Sequence, residues 1–415
     1  MIRSNVFPMP RPPDIIWIVT TQWRAQAFGH AGDPNARTPS IDAFASKSVN
    51  FTQAVTPHPF GPFARAALLT GVPSPENGVT NYFDPLPPGA RTIAHRLAGQ
   101  GYTTGFIGKW HLARRDPAAA LVGEAHARMV VPPGERGGFD FWEGFEGGFQ
   151  LNNPWLHGSR LPEPVRFEGY QSDVLCRRAA DWMKRASRPF FCVVSLEAPH
   201  PPYDAPAAGI KRRRPADLRL ASNVPRGGPV EERARRELAG YHAHIEATDR
   251  AIGGLIATEA AREGVVAFTS VHGDMHGAHG LFRKGWPHEE SVRVPLIVRA
   301  ARGGDRRGEA SAAPVSLIDL PQWTMGWSRG ETAVPPPSPL PPTSAARISM
   351  PSVVALPYQC DRAWRGIRTS TQKLVLNGDG TPWLYFNLKD DPHEMRNLAD
   401  SPSHAPEIAA LRGRV

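Results

Sequence analysis

Four apolar runs in this chain are each followed at once by polar side chains able to do chemistry. Thr21 and Gln22 follow Asp14–Thr20, Lys109 and His111 follow Tyr102–Gly108, His200 follows Phe190–Leu196, and His272 follows Gly264–Ser270. Histidine can donate or accept a proton near neutral pH, and lysine in a partly desolvated cleft can hold an anion. Lysine is scarce here, supplying seven of the 48 basic residues, so Lys109 and Lys284 stand out against an arginine-rich background. His272, His276 and His279 form a close-spaced cluster. Imidazoles suit Zn²⁺ or another transition metal, although the glycine-rich spacing makes a loop rather than one helical face.

The apolar runs read as buried parallel strands, with Arg293–Arg299 as a fifth. Helical patterns separate them: Pro62–Thr70, with Gly71 as a C-cap, then Arg91–Gln100, Ser172–Ala186 and Glu231–Arg262. Strand–helix alternation predicts an α/β fold with a doubly wound, mostly parallel sheet. In such sheets ligands sit beyond the carboxyl ends of the strands. The strand-end residues are therefore expected to share one site.

Residues 132–164 and 201–229 read as long loops, and Pro335–Pro342 as an extended linker. The expected division is a domain over 1–334, the linker at 335–342, and a small α+β unit over 343–415. That unit has strand signals at Trp364–Ser370, Gln372–Leu376 and Trp383–Phe386, a turn at Asn377–Gly380, and a terminal helix.

Composition bounds the rest. The chain has 415 residues, 41% of them hydrophobic and 21% charged, as a globular protein does. No apolar stretch is long enough to span a membrane. The residues up to Asp14 lack the apolar core of a secretory signal, and Cys176, Cys192 and Cys360 have no disulfide or metal spacing. The cytoplasm is the expected location. The net charge of +9 invites a nucleic-acid reading. Lys211–Arg214 (KRRR) lacks interleaved aromatics, so a solvated loop is expected and nucleic acid is not.

Together the motifs resemble the sulfatases of the alkaline-phosphatase superfamily. The resemblance is carried by Thr38–Asp42 (TPSID), Thr56–Gly71 (TPHPFGPFARAALLTG), Gly108–Leu112 (GKWHL) and Pro199–Tyr203 (PHPPY). It continues through Ser270–Gly285 (SVHGDMHGAHGLFRKG), Arg365–Thr369 (RGIRT) and Leu384–Leu398 (LYFNLKDDPHEMRNL). It implies a sulfatase-type fold with a small C-terminal subdomain. It also implies that Arg65, Lys109, His111, His200 and Lys284 surround an anion, with His58 close by.

The departures from the family pattern are specific. The family's nucleophile, a Cys or Ser oxidised to formylglycine, falls four residues before the signature arginine, and here that position is Gly61. No Cys-x-Pro-x-Arg core exists in the chain. The first strand's two Asp ligands correspond to Thr21 and Gln22, the Asp of the DHG block to Val271, and only His272 matches. Hard cations want carboxylate oxygens, so the family's Ca²⁺ or Mg²⁺ site is expected to be lost. No cofactor is predicted, and a rebuilt transition-metal site at His272, His276 and His279 is the alternative. The pocket is expected to be enlarged at Gly61, about one charge unit more positive, and free of acidic residues at the matched positions.

Two readings follow. The first is a repurposed enzyme acting on an anionic small-molecule or carrier-linked substrate without formylglycine or calcium. His111 and His200 are then the acid–base candidates, with Lys109, Lys284 and Arg65 in the catalytic set. The second is a non-catalytic pseudo-sulfatase binding a sulfated or phosphorylated ligand or a partner protein. Gly61 disfavours ordinary sulfate-ester hydrolysis. Thr21, Thr56, Ser270 and His58 stay open as replacement nucleophiles.

Overall fold

In this computed structural model the described residues are 11–301, 308–331, 333–334 and 345–415. The predicted linker at 335–342 lies outside them. A ten-stranded sheet runs through the main body. Its centre is five parallel strands, in spatial order Val265–Ser270, Ile15–Thr20, Phe190–Ser195, Thr103–Lys109 and Phe141–Phe145. Most of their residues are fully buried, because helices cover both faces and both faces therefore had to be apolar.

Four predicted strands fall where expected. The fifth, Leu296–Arg299, is antiparallel to Val265–Ser270. The turn Glu289–Val292 brings the chain straight back without the crossover helix that a parallel partner requires. The expected loop at 132–164 is also corrected. It contributes Phe141–Phe145 as a parallel strand, then Trp155–Gly158 and Leu161–Arg166 as an antiparallel edge. Glycines and prolines had masked this pattern. Among the helices, Gly61–Thr70 ends at Gly71 in the left-handed conformation (φ 73°), as its sequence predicts. The long pattern at 231–262 is two helices, Pro229–Ile256 and Glu259–Glu263.

The C-terminal strands form a four-stranded antiparallel sheet: Ala345–Met350, Trp364–Thr369, Gln372–Asn377 and Pro382–Asn387. Ala345–Met350 was not foreseen, although Ala346, Ile348 and Met350 are buried and alternate with the outward Arg347 and Ser349. Met350 and Trp364 are buried in the same apolar cluster as Trp17 and Phe63 of the main body.

Register places the site. Thr20 lies opposite Ser270, and Val19 opposite Ser195, so the residues that follow each strand emerge side by side. Gly108 lies opposite Ser195 in the next pair. A Cβ on Gly108 would sit 2.0 Å from the Ser195 carbonyl oxygen, and its φ is 117°. Only glycine permits that approach, and it sets where Lys109 leaves the sheet. Gly108→Ala is expected to destabilise the fold by more than ~2 kcal/mol in denaturant unfolding.

Candidate active site

The strand ends open into a cavity of about 350 Å³. Thr21, Gly61, Lys109, His111, His200, His272 and Lys284 line it on the polar side. Phe60, Tyr82, Phe149, Leu356 and Tyr358 supply much of its apolar wall. The sequence therefore brings most of its candidates together. Arg65 and His58, from the expected anion-binding set, do not line it.

Arg65 is buried and turned into the sheet. Its guanidinium donates to the Lys109 carbonyl (3.0 Å), to Ser195 Oγ (2.7 Å) and to Thr21 Oγ1 (2.9 Å). It braces the strand ends and does not line the cavity. His58 belongs elsewhere too. Its Nε2 accepts from the Ser74 amide (2.8 Å), and its Nδ1 lies 3.2 Å from the Ser349 carbonyl. It ties the signature loop to the C-terminal sheet, and burial pushes its pKa down to about 4. Thr56 and Ser270 spend their hydroxyls on the carbonyls of His58 and His272.

Acidic groups stand beside the pocket, at residues outside the matched positions. Lys109 Nζ donates to Glu197 Oε1 at 2.7 Å, with both side chains buried. Its charge is thus compensated, and Phe149 lies 4.7 Å from the ammonium. Asp274 sits behind Gln22 and accepts from the Tyr203 hydroxyl (2.6 Å) and from the Gln22 amide. Burial alone would raise the Asp274 pKa, but His276, Arg283 and that hydroxyl hold it below the usual carboxylate range. Beneath His111, Arg115 pairs with Glu146 at 3.3 Å. Burial raises the Glu146 pKa to about 7.

Lys284 is different. Its Nζ donates to Gln22 Oε1 at 2.6 Å and lies 3.2 Å from His200 Nε2. No carboxylate lies within ion-pair distance of it among the described residues. Burial is the main cause that pushes its pKa down to about 7.

Neighbours fix the histidine tautomers. Arg115 has only donors, so His111 Nε2, 2.9 Å away, accepts and Nδ1 carries the proton. That Nδ1 is buried without a partner. His272 is the converse: Nδ1 donates to the Gly273 carbonyl (2.9 Å), leaving a buried Nε2 lone pair unpartnered. His200 Nδ1 donates to the Pro201 carbonyl (2.7 Å), and its ring stacks on Phe149 at 4.5 Å. Burial, reinforced by nearby cations, holds all three well below the ordinary histidine pKa, so they are neutral at pH 7. The cavity wall thus holds His111 with an unpartnered N–H, His272 with an unpartnered lone pair, and an amine with no carboxylate in direct contact.

Gly61 does not enlarge the cavity. A Cβ there would lie 2.9 Å from His111 Nδ1, so the imidazole fills the space that a side chain would need. His111 reaches it from a left-handed backbone, φ 61°. The five positions matching the family's metal set do not fit a hard cation. Thr21 donates its hydroxyl to the Leu196 carbonyl, Gln22 Oε1 is held by the Lys284 amine, Gly61 and Val271 offer no side-chain donor, and His272 offers nitrogen.

Nor do His272, His276 and His279 come together. His276 lies between the rings of Tyr203 and Tyr241, while His279 stacks on His288 at 4.4 Å. Among the described residues, one trio of ligand atoms falls within 4.8 Å: His279, Glu290 and Glu394. Lys373 already pairs with Glu394 there at 2.7 Å. The KRRR run is spent on the protein itself: Arg212 donates to the Ala205 carbonyl of its own loop, Arg213 to the Pro34 carbonyl, and Arg214 pairs with Asp217 at 2.7 Å.

Sequence reasoning missed Glu197, Arg115, Glu146 and Phe149, and treated His272 as a remnant. The signal for Glu197 was its place, three residues before His200 on the same strand exit.

Fold and strand-end site together define a class, the sulfatase-type α/β proteins. The Sulfatase family model matches residues 13–330, and the chain belongs to that family. It is 32% identical to the ulvan-active sulfatase of Formosa agariphila, covering 95% of this chain and 78% of that one. It is 28% identical to the uncharacterised sulfatase YidJ of Escherichia coli, covering 94% and 84%. A solved YidJ-type structure from Bacteroides fragilis superposes with a TM-score of 0.83 at 24% identity, over 99% of this chain and 96% of that one.

Because His111 occupies the Gly61 side-chain space, Gly61→Ala is expected to cost about 1–2 kcal/mol. The double variant Gly61→Ala/His111→Ala should recover part of that in thermal melts.

Proposed function

We propose that this sulfatase-family chain is an enzyme acting on an anionic substrate by histidine acid–base chemistry, without formylglycine and without calcium. Lys284 is the observation that carries the reading. It is a buried amine on the cavity wall with no carboxylate partner, and a substrate oxyanion supplies the partner it lacks. His111 Nδ1–H is placed to donate a proton or hydrogen bond to a substrate oxygen. The His272 Nε2 lone pair is placed to take a proton from a hydroxyl or a water. Both are neutral at pH 7, as a donor–acceptor pair requires. This moves the base from His200, whose Nε2 faces Lys284, to His272.

Gly61 favours a second reading, a non-catalytic member that binds a sulfated or phosphorylated ligand. Turnover separates the two: catalysis in a panel of anionic esters supports the first, and binding without turnover supports the second. Hydrolysis of an aryl sulfate by the unmodified chain would restore ordinary sulfatase activity. No helix among the described residues is long and apolar enough to cross a membrane. The three cysteines are free and buried, which supports a reducing compartment such as the cytoplasm.

Sulfate is the direct probe, since its charge is constant across neutral pH. Sodium sulfate is expected to raise the melting temperature, and Lys284→Ala to abolish that rise. The ammonium form binds the anion, so affinity is full below the depressed pKa of about 7 and falls as pH rises through it. Above that point the loss is roughly tenfold per pH unit in calorimetric titration. EDTA treatment is expected to leave both the melting temperature and sulfate binding unchanged.

A further inference from the structure

Three of the seven lysines are buried: Lys109, Lys284 and Lys373. Lys109 pairs with Glu197, and Lys373 with Glu289 and Glu394, each at 2.7 Å. Lys284 has no such pair among the described residues. Its two polar neighbours are both acceptors. Gln22 Oε1 is a carbonyl, and His200 Nε2 is the lone-pair nitrogen of a ring whose Nδ1 already donates to Pro201. Two acceptors use two N–H bonds, which is all that a neutral amine has. The remaining valence of the nitrogen is its lone pair, and Lys284 lines the cavity.

We infer that Lys284 is an amine nucleophile that captures aldehydes or ketones with an apolar body as a Schiff base inside this cavity. The inference uses the cleft of the function proposed above but does not depend on anion binding there. Phe60, Phe149, Leu356 and Tyr358 wall the cavity with apolar surface. Such a wall admits an apolar carbonyl compound and limits water, which favours the imine over its hydrolysis. Burial with no carboxylate in direct contact disfavours the ammonium more than the charges of Asp274 and Glu197 favour it, the condition under which lysine becomes a carbonyl nucleophile.

The step balances within these groups. The Nζ lone pair attacks the carbonyl carbon, and the π pair moves to oxygen, which takes up the first of the two protons that nitrogen sheds to give the carbinolamine. The nitrogen lone pair then forms the C=N bond as hydroxide leaves. His200 Nε2, 3.2 Å from Nζ, takes the second proton lost by nitrogen and returns it to the departing oxygen, so water is the leaving product. No oxidant or reductant takes part.

The test is reductive trapping. The full chain is incubated at neutral pH with benzaldehyde and cyanoborohydride, then read by intact mass and peptide mapping. One adduct at Lys284 is expected, forming at least about tenfold faster than at the exposed Lys47, Lys184, Lys211 or Lys389. Lys284→Arg, checked as folded by circular dichroism, should lose that adduct. Gln22→Glu places a carboxylate beside Nζ and should slow capture at neutral pH at least about tenfold.

Adducts spread over the exposed lysines, with Lys284 unmodified, overturn the inference. So does unchanged capture in Gln22→Glu. Added sulfate separates this inference from the proposed function. Stabilisation by sulfate without any Lys284 adduct removes the inference and leaves the anion site. An adduct that sulfate neither blocks nor slows, in a protein that sulfate does not stabilise, does the reverse.

Discussion

The hydrogen bond from Lys284 to Gln22 is the contact on which the site turns. Two strand ends that could have framed a divalent cation are joined instead by an amine and a carboxamide. The amide spans the gap: its oxygen takes Lys284, and its nitrogen faces Tyr203 (3.2 Å) and Asp274. Asp274 is in turn fixed by the Tyr203 hydroxyl and by the backbone amides of His276 and Arg283. A cation bound in this place would have to displace an amine already seated on the Gln22 amide oxygen. The arrangement is self-consistent without a metal, and it leaves the Lys284 amine with no carboxylate in direct contact among the described residues.

Around that point the buried charges are matched. Lys109 has Glu197, Arg115 has Glu146, and Arg283 has Glu237 at 2.7 Å. A buried charge left alone costs several kcal/mol or loses its proton. Most of the pocket's basic residues are therefore structural. The cleft is left with Lys284 and three neutral imidazoles. His111, held by Arg115 in a left-handed backbone, fills the gap at Gly61 and sets its Nδ1 against that glycine.

Much of the fold was legible because buried parallel strands read as short apolar runs, and polar residues at their carboxyl ends read as a shared site. That logic placed Thr21, Lys109, His111, His200 and His272 around one cavity before any coordinates. It failed where identity alone does not fix direction. Arg65 and His58 carry the right chemistry but point into the framework. Strand polarity failed at Leu296–Arg299 because a short helical turn, Glu289–Val292, does the work of a crossover. The acidic partners were hidden for another reason: Glu197 reaches Lys109 across 88 residues and Asp274 reaches the Gln22 amide across 252, and no local pattern encodes those pairings.

A lysine-selective ¹³Cε NMR titration tests the central claim most directly. Only seven lysines report, and the account predicts that one of them, absent in Lys284→Arg, titrates near pH 7 and is indifferent to added Ca²⁺. A Lys284 signal titrating at the ordinary lysine value, or shifting with stoichiometric Ca²⁺, would contradict it.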